Sequence, residues 1–84
     1  MSDEERVVEL TQRVSLLLKG SHPMIQGAVL ADLLAIWLAG HRSSDGAEAT
    51  RGFREELLER HLAVVWELIP VNEHLQDLDE RAKG

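Results

Sequence analysis

Eighty-four residues, 44% of them hydrophobic, with a net charge of −6 and no cysteine, describe one small folded domain. Disulfides and thiolate metal sites are excluded, and disorder does not fit so apolar a chain. The acidic balance also disfavours sequence-independent binding to nucleic acid or anionic membrane, which needs a basic surface.

The opening "MSDEER" is acidic and polar. A secretory signal would begin basic and turn apolar, so the cytoplasm is the expected location. The first helix is expected over residues 3–19. Ser2 stands at its N-cap, and Glu5 three residues on completes a capping box. Val7, Leu10, Val14, Leu17 and Leu18 form a stripe at helical spacing. Glu9 and Arg13 are an i,i+4 ion pair on the wet side. Gly20 suits the left-handed position that ends a helix. Leu16 points away from the stripe, and one small core does not account for it.

After the turn "GSHP" comes a second helix, 23–39, with Pro23 in its first turn, Ser21 or His22 as cap, and Gly40 as its stop. Leu30, Leu33, Leu34, Trp37 and Leu38 gather on one broad arc. Gly27, Ala31, Ala35 and Ala39 follow at steps of four, with Ala28 beside them, and make a ridge that lets another helix approach closely. Ile25, Val29, Ile36 and Asp32 fill the gap between. A helix apolar on all sides is normally a buried one. It is not expected to span a membrane, since it falls short of roughly 20 apolar residues and a central aspartate costs roughly 2.5–3.5 kcal/mol there.

"HRSSDGAEATRG" reads as a polar loop that passes into a third helix, 46–69, with Asp45 and Glu48 as a second capping box. Gly46 and Gly52 weaken its first turns. Phe53, Leu57, Val64 and Leu68 make one stripe, and Leu58, Leu62, Val65, Trp66 and Ile69 an adjoining one. Glu56 and Arg60 pair on the solvent side. Pro70 is expected to break or kink this helix, because it lacks an N–H and clashes with the preceding turn. Val71, Leu75 and Leu78 then predict a short fourth helix over 71–81.

The fold class is therefore all-α: a small three- to four-helix bundle, residues 1–84 in a single domain, with the apolar second helix at its centre. Three helices and a stub cannot cover that helix on every side. Each large side chain left exposed forgoes roughly 1.5–3 kcal/mol of burial, and pairing of copies is a common remedy for small scaffolds. A two-fold homodimer is expected, with Leu16, Gly27, Ala31, Asp32, Ala35, Ala39, Leu62, Trp66 and Ile69 at the interface.

Few residues point to chemistry. His22, His41, His61 and His74 show no metal-ligand spacing on a helix. His61 lies within an apolar arc and reads as a core histidine bonded to a neighbour. Asp32 is the sharper oddity: a carboxylate under protein cover needs a partner or gives up its charge. A paired acid, across an interface for instance, outweighs a general acid–base role. Arg42, Arg51 and Arg54 beside the polar loop could hold an anion, but Asp45 and Glu48 oppose one. No serine sits in a nucleophile setting, and no glycine loop cradles phosphate. A helix–turn–helix reader would need polar side chains on the second helix, where this one carries leucine and alanine.

No enzyme, cofactor, metal, nucleic-acid or membrane role is expected. The leading expectation is a helical protein-interaction module that partners itself and another protein, as adaptor, regulator or subunit. The alternatives are a small-molecule binder, with an apolar site formed by Leu34, Trp37, His61 and Val65, and an accessory subunit of an enzyme.

Overall fold

The computed structural model describes residues 1–84 and contains three α-helices and no strand: α1 (Asp3–Leu18), α2 (Pro23–Ala39) and α3 (Ala47–Lys83). The chain divides into two units, Met1–Ala35 and Ile36–Gly84, with the boundary inside α2. No helix is long and apolar enough to cross a membrane.

The first unit begins as its sequence dictates. The Glu5 backbone N–H donates to Ser2 Oγ at 3.1 Å, and the Ser2 hydroxyl lies 3.1 Å from Glu5 Oε1. Asp3, Glu4 and Glu5 occupy the positive end of the α1 dipole. Arg13 meets Glu9 at 2.8 Å, and Arg6 joins the same carboxylate at 3.3 Å. Lys19 is the C-cap, its N–H donating to the Ser15 carbonyl, and Gly20 follows at φ +86°, where a side chain would be strained. His22 caps α2 through its ring, with Nδ1 accepting from the Met24 N–H at 3.1 Å. Gln26 reaches back from α2 and donates to the Leu18 carbonyl at 2.9 Å, satisfying one orphan acceptor at the end of α1.

The second unit holds the last turn of α2, the loop and α3. The expected Asp45–Glu48 capping box does not form. The N-cap is Gly46 at φ +108°, with no side-chain hydrogen bond, and the Asp45 N–H is instead taken by Ser43 Oγ at 3.1 Å. Glycine is the residue that adopts such a positive φ without strain, and with Gly46 at the N-cap Asp45 falls one position too early to cap α3. Thr50 closes the loop. Its hydroxyl accepts from the Ser43 N–H at 3.0 Å.

Pro70 does not break the helix. α3 runs unbroken for 37 residues through it, about 55 Å at 1.5 Å per residue, so the expected helices 46–69 and 71–81 are one. The lost hydrogen bond leaves the Trp66 carbonyl without its usual donor. Trp66 itself is 72% exposed. Helical turns on both sides of the proline hold its neighbours in register, since extending a formed helix is far easier than starting a new one.

No side chain of the chain is buried. In α2 only Gln26, Leu34 and Leu38 are even half-covered, and in α3 only Ala49, Thr50, Arg54, Leu57 and Leu58.

Candidate interaction surface

Two kinds of arrangement stand out: a polar and aromatic knot at the α2–α3 corner, and apolar helix faces with nothing on them. In the knot, Arg54 on α3 turns its guanidinium onto the end of α2. Nε donates to the carbonyls of Leu38 at 2.9 Å and His41 at 3.0 Å, and Nη2 to that of Ala39 at 3.0 Å. A cation at the negative end of a helix, bonded to its last carbonyls, is doubly favoured. The His41 ring lies against the same corner, with Nδ1 2.7 Å from the Trp37 carbonyl. Aromatic contacts continue outward: Trp37 meets His41 edge-on at 4.9 Å between ring centroids, and His41 meets Phe53 edge-on at 5.8 Å. Trp37 also meets His61, at 5.4 Å.

This knot revises one expectation, that of His61. Of the loop arginines, Arg54 donates to carbonyls and Arg51 pairs with Glu55 at 3.1 Å. His61 is exposed, and its neighbour is the Trp37 ring rather than a core of leucines. Of the four residues expected to form a ligand site, Trp37 and His61 touch. Val65 is exposed, and Leu34 is half-covered and belongs to the first unit. An open depression runs along α1 instead, lined by Met1, Glu4, Glu5, Val8, Glu9 and Gln12.

The apolar faces carry the residues expected at an interface. In the first unit, Leu16 is exposed and its neighbour Leu17 reaches 81% exposure. Gly27, Ala31 and Ala35 stand exposed along the ridge of α2, and Asp32 beside them is exposed as well. A Cβ placed on Gly27 meets nothing within 4 Å, so α1 does not use the close approach that this glycine allows. In the second unit, Ala39 ends the ridge, exposed. Leu62, Trp66 and Ile69 lie on one face of α3 and are exposed too.

The sequence reading missed the two side chains that close helix ends from a distance, Gln26 and Arg54. For Gln26 the available signal was weak, a long donor side chain eight residues past the Leu18 carbonyl; for Arg54, 13 to 16 residues from its acceptors, there was none. It also missed the length of α3. No three His, Asp or Glu side chains cluster as a metal site would need.

No protein-family model matches the chain, and neither a curated protein nor a solved structure does.

Proposed function

We propose that this chain is a helical protein-interaction module that works as a homodimer, serving as an adaptor, regulator or subunit. The observation that carries the reading is the absence of any buried apolar side chain in a chain that is 44% hydrophobic. Each large apolar side chain left in water forgoes roughly 1.5–3 kcal/mol of burial that a second copy would supply. The open ridge at Gly27 and the exposed tryptophan at position 66 are the kinds of group a second surface uses, the first for close approach and the second as an anchor.

Concentration-dependent melting tests this. A folded state held together by pairing melts at a higher temperature as protomer concentration rises. Thermal unfolding followed by circular dichroism over a hundredfold dilution series is expected to show a melting temperature that falls on dilution. A melting temperature independent of concentration, with cooperative unfolding throughout, would sink the proposal.

A further inference from the structure

Continuity of α3 through Pro70 joins two apolar stripes that a break would have separated. Leu57, His61, Val64, Leu68, Val71, Leu75, Leu78 and Ala82 now follow one another at alternating steps of four and three on a single helix. That is the spacing of a heptad seam, with His61, Leu68, Leu75 and Ala82 at position a and Leu57, Val64, Val71 and Leu78 at position d. From Val64 to Leu78 the five large seam residues are 47–55% exposed. Beyond Pro70 the apolar arc narrows to the seam alone. Asn72 and Asp79 take the e positions, and His74 and Arg81 the g positions. A stripe confined to a and d, flanked by polar groups, is the coiled-coil pattern rather than that of a helix packed on a globular core. Pro70 itself falls at position c, roughly 130° around the helix from the seam, so its ring does not obstruct a partner.

We infer that α3 pairs through this seam with α3 of a second copy, antiparallel and centred on Glu73. The inference rests on the homodimer reading above and specifies its contact, which leaves Gly27 on α2 and Trp66, at position f of α3, outside the paired face. Three observations select this arrangement. First, parallel two-stranded coils favour β-branched residues at a and leucine at d, whereas here leucine holds a at positions 68 and 75 and valine holds d at 64 and 71. An antiparallel pair places each a residue against a d residue, so the preference does not apply. Second, centring on Glu73 sets Leu68 against the partner's Leu78, Val71 against the partner's Leu75 and Val64 against the partner's Ala82. Every layer is apolar, and His61 stays outside the overlap. Third, the flanking charges match: Glu67 comes opposite the partner's Arg81, twice by symmetry. Neither side chain is held by an ion pair within its own chain. Sliding the pair by one heptad toward the N-terminus would put Arg60 against the partner's Arg81, a like-charge contact that disfavours that register.

The chain has no cysteine, so engineered thiols report the geometry cleanly. Leu68→Cys and Leu78→Cys proteins are prepared separately, mixed, and oxidised gently at micromolar concentration. The expected result is a disulfide-linked dimer in the mixture and little in either protein alone, because positions 68 of the two copies would stand about 15 Å apart, beyond disulfide reach. Rapid linkage of Leu68→Cys with itself would mean a parallel pair, and linkage of Leu68→Cys with Val71→Cys the slid register. Either result overturns this inference and leaves the dimer standing. A two-chain mass for every variant with no linkage at all would move the interface to another face. A one-chain mass for the unmodified protein would remove the dimer itself. A charge swap gives an independent reading that does not touch the seam. Arg81→Glu is expected to weaken dimerisation about tenfold by opposing two carboxylates, and Glu67→Arg in the same chain to restore it. Equal affinity for wild type, single and double variants would overturn the register.

Discussion

Replacing Arg54 by alanine removes three side-chain hydrogen bonds at the end of α2 in one step. The guanidinium makes three hydrogen bonds of 2.9–3.0 Å to the carbonyls of Leu38, Ala39 and His41. Hydrogen bonds to a charged group contribute about 1.5–3 kcal/mol each at most. Arg54 is only half-covered, so water takes over part of the loss, and three bonds from one group are not additive. A net loss of about 2–3 kcal/mol is expected. In a domain of this size, that corresponds to a fall in melting temperature of roughly 10–20 °C. Arg54→Lys keeps the charge at the negative helix end but loses the fork that reaches separate carbonyls, so it should fall between alanine and wild type. The assay is thermal unfolding by circular dichroism for all three proteins at one fixed concentration. A melting temperature for Arg54→Ala within about 2 °C of wild type would refute the reasoning, because on this scale it corresponds to a loss of well under 1 kcal/mol.

Other substitutions probe separate links. Gly52 lies inside α3, and a Cβ there meets nothing within 4 Å; Gly52→Ala is therefore expected to stabilise by about 0.5–1 kcal/mol, and a lower melting temperature would mean that something approaches that backbone closely. Pro70→Ala restores the missing N–H in an unbroken helix and should raise the melting temperature, by up to about 3 kcal/mol in stability; a loss would show that the proline sets a bend the protein needs. Ser2→Ala deletes the α1 cap and should cost about 1 kcal/mol, readable as faster amide exchange in the first turn of α1; unchanged exchange there would argue that the cap contributes nothing.

Much of the local structure was legible because it is governed by neighbours in sequence. Ser2 with Glu5, Gly20 past the end of α1, Pro23 in the first turn of α2, and the ion pairs Glu9–Arg13 and Glu56–Arg60 all stand where helix geometry puts them. The all-helical class followed from the same spacing rules. Three things were not legible. Local rules say that Pro70 stops a helix, but they do not weigh the turns already formed on either side of it. Asp45 has the right residue type for a cap, but α3 starts one residue later, so Gly46 takes the N-cap position. Arg54 acts on carbonyls 13 to 16 residues away in sequence, and no spacing pattern records that. The seam on α3 stayed hidden for the first of these reasons: cut at Pro70, it is two short stripes, and only an unbroken helix makes it one. For the interaction surface, the sequence marked residues that stand exposed in the chain, but periodicity alone does not say which of several apolar faces a partner takes.

Everything proposed about function turns on whether one chain is enough. Sedimentation equilibrium on the unmodified protein, from about one to one hundred micromolar, measures this directly. The account predicts a mass of twice 9.4 kDa at the upper concentrations, with dissociation on dilution. A mass of 9.4 kDa across the whole range, for a protein still helical and folded, would contradict it.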